Sequence, residues 1–294
     1  MCRIFYFLLL TNSIFALPIL PSHPLKRLNR RYHFRQRSPI EVVSSTAVEY
    51  EGPQGIHAEF YDLEDVVKDV RRHSTFFEVV MKKGIRQPRL YIEHIDNSSF
   101  VLEQFHFHWG KEGEEEGSEH ILDGRKRMAE IHLVHHNSQY LNILDAFGEE
   151  KGVIVVAVFI ELDEDENDAL SIVDEILRLK EKGAKIENYA DRMKYLRPSR
   201  LIPFDSSFFH YTGSLTTSSY GPVEWIVYEK SIKAPRRFFQ TLYRTGEENW
   251  NAVHEIQNGT FVYRSRDIEG SGDESFDSRA DRLVDSYSSS LTDP

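Results

Sequence analysis

The chain has 294 residues and a formal net charge of −11, with 47 acidic and 36 basic side chains. Its hydrophobic content of 40% is enough to bury a full-sized core, as one large domain or two small ones. Nucleic-acid binding is not expected, because phosphate contacts need clustered positive charge and this acidic chain has no long Lys/Arg block.

The first residues have the three-part pattern of a secretory signal peptide. Arg3 precedes an apolar run, and Ala16 offers a cleavage site after it. The run is shorter than the roughly 20 residues that a membrane-spanning helix needs. We therefore expect residues 1–16 to be a signal peptide rather than an anchor, and the protein to be secreted. No later segment is apolar enough to span a bilayer, so no transmembrane segment is expected in the mature chain.

Two segments are expected to flank a single folded domain. Residues 17–36 form a basic arm, whose paired basic residues at 26–31 are either a solvated surface or a processing site. Residues 265–294 are rich in Ser and Asp, a composition that cannot bury enough surface to become ordered. Residues 37–264 contain no fixed-period repeat, which favours one domain. Cys2 is the only cysteine, so the mature chain is expected to have no disulfide.

Two short sequences fit the acceptor pattern for N-glycosylation. They are Asn97-Ser98-Ser99 and Asn258-Gly259-Thr260. The pattern is short and often matches by chance, so it does not decide whether either asparagine is glycosylated. An occupied acceptor would place its loop at the surface.

Short apolar runs in the predicted domain are typical of strands. They are rich in Val, Ile, Phe and Tyr and are bounded by Gly, Asn, Asp or Pro. The clearest are FFEVVM (76–81), SSFVLEQFHFHWG (98–110), AEIHLVHH (129–136), GVIVVAVFIEL (152–162) and PVEWIVYE (222–229). One helix stands out, because four apolar residues repeat at helical spacing before a glycine stop. They are Leu170, Val173, Ile176 and Leu177, followed by Gly183. The predicted fold class is mainly β with a few helices.

Two histidines lie two residues apart in QFHFHWG (104–110). In a strand, residues two apart point to the same face, so His106 and His108 project side by side with Gln104 next to them. A third imidazole from a neighbouring strand would give three neutral nitrogens around a tetrahedral ion. The fourth position would remain for water, which is the layout of a catalytic rather than a structural zinc site.

The run AEIHLVHHN (129–137) supplies that third imidazole, because Glu130 and His132 share one face of the strand. Glu130 beside His132, like Gln104 beside His106, is placed to accept the ring N–H that does not face the metal. Packed core histidines are the alternative for any single one of these residues. The combination of amide, carboxylate and three imidazoles favours a Zn²⁺ site.

These motifs, in this order, resemble those of the alpha-class carbonic anhydrases, and the resemblance covers residues 37–265. The matching segments are RSPIEV (37–42), QFHFHWG, GSEHILDGR (117–125), AEIHLVHHN, SLTT (214–217), EWIVYEKSI (224–232), ENWN (248–251) and IQNGTFVYRS (256–265). The resemblance implies a single domain built on a large central, mostly antiparallel twisted β-sheet. It also implies zinc at the base of a conical cleft, held by His106, His108 and His132.

The resemblance implies a zinc enzyme, a carbonate dehydratase that hydrates CO2 reversibly to bicarbonate and a proton, and the signal-peptide pattern predicts that this enzyme is secreted. In this family zinc-bound hydroxide attacks CO2, and the family is the standard case of zinc lowering the pKa of bound water. The alternative is a binding module that keeps the fold and the zinc but is catalytically weak. Non-catalytic members typically lose a zinc histidine, and all three are present here, which favours the enzyme.

Further site residues are assigned by matching the family's motifs. Thr216 would accept the hydrogen of the hydroxide and donate its own hydrogen to Glu119. An apolar wall suits a small uncharged substrate such as CO2, which offers little to hydrogen-bond. The residues matching that wall and its rim are Val134, Val155, Leu215, Trp225 and Thr217.

Two departures from the family pattern concern catalysis. Ser218-Ser219 stands where the family has Pro-Pro, and the loop to Trp225 is one residue shorter, so we expect a different loop path, and the family pattern does not fix the aim of Thr216. His73 lies near the proton-shuttle position, although the residue count places Thr75 there. His73 is therefore either an offset shuttle or a surface histidine, and an imidazole with a pKa of about 6.5 suits the shuttle role.

Overall fold

A computed structural model describes residues 34–52, 55–73, 75–164, 167–183 and 189–266. The strands in this part of the chain are β1 (Glu41–Val42), β2 (Val48–Glu49), β3 (Ile56–Glu59), β4 (Val67–Arg72), β5 (Phe77–Met81), β6 (Arg89–Ile92), β7 (Asp96–Trp109), β8 (Ile121–Leu122), β9 (Ala129–Asn137), β10 (Val153–Leu162), β11 (Phe208–Gly213), β12 (Val223–Tyr228), β13 (Ile232–Ala234) and β14 (Tyr263–Arg264). The α-helices are α1 (Ile143–Ala146), α2 (Asp168–Glu181), α3 (Ala190–Lys194) and α4 (Arg236–Thr245).

The predictions for both chain ends lie mostly outside the described residues. The signal peptide and the arm up to residue 33 are not described, and neither is the tail beyond Arg266. At the edges, Gln36 is buried and its side chain accepts a hydrogen bond from the N–H of Gln257. Ser265 is buried and exchanges hydrogen bonds with Phe208.

Twelve of the described strands join one sheet, with the path β2-β14-β11-β12-β10-β9-β7-β5-β4. Off this path, β13 pairs with β10, and β6 pairs with both β3 and β7. Eight of the eleven pairings are antiparallel and three are parallel. β1 and β8 form a separate parallel pair. The prediction of a mainly β fold with a large, mostly antiparallel sheet is confirmed.

Successive side chains of the central strands alternate between two faces, and each face has its own apolar cluster. On one face, Phe105, Phe107 and Ile131 pack in a large cluster with the buried sides of α2 and α4. On the other face, Val134 and Val155 belong to a smaller cluster. Alternation along β7 and β9 therefore separates a helix-covered core from the face that carries the predicted metal ligands.

Helix α2 forms where the sequence predicts it. Asn167 caps its first turn, because its side-chain oxygen accepts the N–H groups of Ala169 and Leu170. The four predicted apolar residues are all buried in the larger cluster. Gly183 follows the end of the helix with a φ of +75°, a conformation that glycine adopts without strain.

The register of three neighbouring strands aligns the predicted site residues. His132 on β9 lies opposite His106 on β7 and opposite Ala157 on β10. Two residues further along β9, Val134 lies opposite Val155. The sheet therefore places two imidazoles in one cross-strand row and an apolar pair in the next row on the same face.

Gly117 lies where backbone segments approach too closely for a side chain. A Cβ at this position would come within 2.2 Å of the Gly110 nitrogen and of the Met128 carbonyl oxygen. We predict that Gly117→Ala destabilises the protein by about 1–3 kcal/mol, because backbone on both sides must move. Gly246→Ala is the control, since its nearest neighbour would be 3.4 Å away. Equal unfolding midpoints for the two variants in urea would contradict this prediction.

Candidate metal centre

His106, His108 and His132 converge on the sheet face that carries the smaller apolar cluster. Their exposed fractions are 3%, 5% and 1%. One ligand nitrogen from each ring lies within 4.8 Å of one from each of the others. The ring centroids are 4.6 to 5.4 Å apart. The structure therefore brings together the three predicted histidines in an arrangement that could hold a metal ion.

Two of the imidazoles are oriented by side chains from their own strands. Nδ1 of His106 lies 3.0 Å from Oε1 of Gln104, and Nε2 of His132 lies 2.6 Å from Oε1 of Glu130. These are the contacts that the sequence pattern predicted. An amide or carboxylate oxygen accepts, so each of these ring nitrogens carries the proton. The lone pair of each ring then lies on the opposite nitrogen, as a metal ligand requires.

His108 is oriented by a distant part of the chain. Its Nδ1 donates to the backbone carbonyl of Asn249 at 2.9 Å, a contact between residues 141 positions apart. Its Nε2 is buried and has no hydrogen-bond partner among the described residues. A buried polar atom without a partner costs free energy, and a metal ion would satisfy it. The donor set and this nitrogen both fit a zinc ion.

Burial keeps the imidazoles of His106 and His108 neutral. It lowers the pKa of His106 well below the usual value, and the neighbouring His108 and His132 lower it further. Burial also lowers the pKa of His108, although the charge of Glu119 acts in the opposite direction. Neutral imidazoles have the free lone pair that metal binding needs.

Glu130 joins two histidines. Its Oε1 lies 2.6 Å from Nε2 of His132 and 2.7 Å from Nδ1 of His120, and its Oε2 accepts the backbone N–H of His120 at 2.8 Å. Burial alone would raise the pKa of Glu130, but electrostatic attraction and hydrogen bonds from the rings of His120 and His132 lower it well below the usual range. His120 in turn contacts the hydroxyl of Tyr211 at 2.8 Å.

His120, Glu130 and His132 form a second group whose ligand atoms lie within 4.8 Å of one another. Ligands of a tetrahedral zinc ion are roughly 3.3 Å apart. The contacts of Glu130 with the two histidines are 2.6 and 2.7 Å long, which are hydrogen-bond distances. This geometry favours an orienting network, and it favours the three-histidine group as the metal site.

Glu119 is fully buried beside the triad. Its Oε1 lies 3.3 Å from Nδ1 of His108 and accepts hydrogen bonds from the backbone and side chain of Asn251. Its Oε2 has no hydrogen-bond partner among the described residues. The expected bond from Thr216 is therefore not formed. Asn251, which sequence reasoning did not single out, holds this carboxylate instead.

The loop after β11 sets the position of Thr216, which is buried. The N–H of Leu215 donates to the carbonyl of Tyr220 at 2.7 Å and closes the loop between them. The hydroxyl of Ser218 accepts the N–H of Tyr220 at 3.3 Å. This path holds Thr216 without a side-chain bond to Glu119.

The residues predicted for the substrate wall lie next to the triad. Three of them are buried in the smaller apolar cluster, and a fourth packs against it. They are Val134, Val155, Trp225 and Leu215. The ring of Trp225 lies 4.9 Å from the ring of His132, between centroids. Thr217 is partly exposed and outside this cluster. An apolar surface therefore adjoins the candidate metal centre.

His73 follows β4 directly and lies near the triad without joining it. Its ring stacks on Phe76 with centroids 4.4 Å apart, and Phe76 contacts the ring of His106 at 5.8 Å. Nε2 of His73 lies 3.3 Å from a carboxylate oxygen of Glu78. Thr75, the other residue considered for the shuttle position, is partly exposed. One aromatic ring thus separates His73 from His106.

Comparison with known proteins shows which family this chain belongs to. The family model for eukaryotic-type carbonic anhydrases matches residues 27–261. Carbonic anhydrase 1 of Monodelphis domestica is 37% identical over 154 residues, which cover 51% of this chain and 56% of that protein. Human mitochondrial carbonic anhydrase 5A is 38% identical over 165 residues, covering 54% and 52%. The chain belongs to the eukaryotic-type carbonic anhydrase family.

The alignments are shorter than the relatives themselves. The rabbit protein, carbonic anhydrase 1 of Oryctolagus cuniculus, is 37% identical over 138 residues, which cover 46% of this chain and 56% of that protein. The chain thus spans about half the length of the curated relatives it matches. Within the described residues, no helix combines the length and apolar character needed to cross a membrane.

The hydrogen bond between Glu130 and His132 leads to a prediction about the affinity for zinc. Glu130→Gln keeps the shape but removes the charge that holds two histidines, so we predict an affinity for Zn²⁺ that is about 10 to 100 times lower. Titration against a competing chelator measures it. Glu103→Gln is the control, because Glu103 contacts His136 at 3.0 Å, outside the triad. An equal loss of affinity in both variants would show that Glu130 has no particular role.

Proposed function

We propose that this chain binds Zn²⁺ through His106, His108 and His132 and catalyses the reversible hydration of CO2 to bicarbonate and a proton. The observation that carries the proposal is that each buried imidazole has one nitrogen held by an acceptor while the three rings converge. Membership of the carbonic anhydrase family supports this class of reaction.

When bound there, zinc would supply the positive charge that lets water lose a proton near neutral pH, an effect for which this family is the standard example. The protein's own contribution is orientation. Gln104, Glu130 and the carbonyl of Asn249 hold the three rings in position before a metal arrives. A ligand set that is already in position loses little conformational freedom on binding and holds the ion in one geometry.

We propose that CO2 lies against the apolar surface beside His132. A small uncharged molecule gains little from hydrogen bonds, so apolar side chains displace water around it and keep it near the reacting centre. The wall would consist of Val134, Val155, Leu215 and Trp225, with Thr217 at its rim.

Glu119 is proposed to accept the hydroxyl hydrogen of Thr216 during the reaction. The buried Oε2 of Glu119 has no hydrogen-bond partner among the described residues, which supports a role as an acceptor. Catalytic hydrogen bonds are often long before substrate binds and shorten in the reacting complex. Such a bond would orient the hydroxyl of Thr216 toward the substrate.

His73 is proposed to pass the reaction's proton to buffer. Its ring is held by stacking on Phe76 and by the nearby carboxylate of Glu78. An imidazole exchanges protons near neutral pH, which suits transfer between the site and solvent. Its partly exposed position gives it access to solvent, and the ring of Phe76 is all that separates it from His106.

The proposal includes secretion, which rests on the signal-peptide pattern of residues 1–16. The two predicted glycosylation acceptors, Asn97 and Asn258, are both exposed, as glycan attachment requires. Within this proposal the small molecules CO2 and bicarbonate are the partners of the site.

Stopped-flow CO2 hydration, with zinc content measured on the same sample, tests the activity. We expect about one zinc per chain and activity that a chelator removes and zinc restores. His132→Ala should lose zinc and activity together. His57→Ala is the control, because His57 is partly exposed and pairs with Glu93 away from the triad.

Full hydration by the zinc-free protein would contradict the mechanism. Bound zinc without hydration would favour the alternative, a binding module that retains the fold and the metal. In that case the loop containing Ser218-Ser219 would be the first place to look for the cause.

The shuttle assignment predicts a dependence on buffer. His73→Ala should slow turnover in dilute buffer by up to about 10²-fold, because the proton then leaves without a nearby imidazole. The rate in concentrated imidazole buffer and the zinc content should stay unchanged. His254→Ala, at a partly exposed histidine elsewhere, controls for the general effect of losing a histidine. An unchanged rate for His73→Ala in dilute buffer would identify His73 as a surface histidine.

A further inference from the structure

A short C-terminal segment reaches the candidate metal centre from outside the sheet. We call residues 249–251 the strap. It lies between α4 and the isolated bridge at His254 and has no helix or strand of its own. Its position therefore depends on side-chain contacts and on a few hydrogen bonds to neighbouring backbone.

The first residue of the strap makes contacts on both sides of His108. The side-chain oxygen of Asn249 accepts the N–H of Trp109 at 2.8 Å, and its side-chain nitrogen donates to the carbonyl of Phe107 at 3.0 Å. Its backbone N–H donates to the carbonyl of Trp109 at 3.1 Å. With its own carbonyl, Asn249 orients the ring of His108. The position of Asn249 therefore determines how the ring of His108, one of the candidate metal ligands, is oriented.

The last residue of the strap holds the buried carboxylate of the site. The backbone N–H of Asn251 donates to Oε1 of Glu119 at 3.0 Å, and its side chain donates to the same oxygen. The strap thus connects with His108 at one end and with Glu119 at the other. A shift of the strap would disturb both groups at once.

Trp250 lies between these two residues, and its indole ring is covered by a lysine. Nζ of Lys126 lies 3.3 Å from the ring centroid. This nitrogen is buried and has no hydrogen-bond partner among the described residues. An ammonium removed from water needs an attractive partner, and the face of an indole ring provides one.

Burial lowers the pKa of the Lys126 ammonium, and the carboxylates of Glu116, Glu130 and Glu119 offset only part of this shift. A cation at this position therefore attracts both the indole ring and the acidic groups behind the site. Lys126 belongs to the segment between β8 and β9, so its contact joins that segment to the strap.

We propose that Lys126 and Trp250 are a positioning pair that holds the strap where Asn249 orients His108 and Asn251 holds Glu119. Neither side chain touches the reacting atoms in this scheme. The inference rests on the proposed function, because positioning has a consequence for metal binding only if the triad holds zinc.

Three variants of the full chain separate positioning from simple packing. Lys126→Met preserves the length of the side chain and its apolar stem but removes the charge, whereas Lys126→Arg keeps a cation over the ring. Lys111→Met is the matched control, because Lys111 forms an exposed ion pair at 2.9 Å with Glu248, the residue next to the strap.

Two measurements are made on each variant. Amide hydrogen exchange at Asn249 and Asn251, followed by NMR in metal-free protein, reports how firmly the strap is held. The rate at which zinc leaves the loaded protein in excess chelator reports the consequence for the metal. For Lys126→Met we expect exchange at both amides and zinc release to be about tenfold faster, with wild-type values for Lys126→Arg and Lys111→Met.

Wild-type exchange at both amides in Lys126→Met would overturn the inference, and so would an equal change in Lys111→Met. Faster exchange with unchanged zinc release would also overturn it, since the strap would then have no effect on the metal. If wild-type protein binds no zinc, the proposed function fails, and the exchange data still decide whether Lys126 holds the strap.

Discussion

Each of the three imidazoles at the candidate metal centre has one nitrogen held by a hydrogen-bond acceptor, and the rest of the site follows from that constraint. The acceptors are an amide, a carboxylate and a backbone carbonyl. Since an acceptor fixes the proton on the nitrogen it contacts, the lone pairs lie on the opposite nitrogens. Burial then keeps the pKa of His106 and His108 low, so that these rings stay neutral.

The sheet makes this arrangement possible because alternate residues serve different purposes. Along β7, His106 and His108 face the site while Phe105 and Phe107 face the helix-covered core. The same strand therefore anchors the fold through one set of alternate residues and presents two candidate ligands through the other set. The apolar cluster on the site face places Trp225 beside His132, so that an apolar side chain borders the candidate metal centre.

Sequence reasoning found those parts of the site that follow from local rules. Alternation in a strand predicts that His106 and Gln104 share a face, and helical spacing predicts α2, because both depend on residues a few positions apart. The contact of Asn249 with His108 spans 141 positions, so no local pattern predicts it. Helix α4 escaped notice although Phe238, Phe239 and Leu242 have helical spacing, because the helix is short and has no side-chain cap to mark its start.

The path of the loop after β11 also depends on contacts between residues that are far apart in the sequence, so local patterns do not predict it. The departure at Ser218-Ser219 left the aim of Thr216 open, and the structure shows Glu119 bound to Asn251 instead of Thr216. The departure from the family pattern indicated where a difference lies but not what replaces the missing contact. The hydrogen bonds to Glu119 come from Asn251 in the strap. The sequence of the strap has neither a metal-ligand pattern nor a strand pattern that would have pointed to this contact.

We propose that the three histidines, and not the network of His120, Glu130 and His132, hold zinc. Anomalous X-ray diffraction at the zinc edge, from crystals of the full chain grown with zinc, tests it directly. We expect one strong peak about 2.0–2.1 Å from Nε2 of His106, Nε2 of His108 and Nδ1 of His132. A peak between His120 and Glu130, or no peak within reach of the three rings, would contradict it.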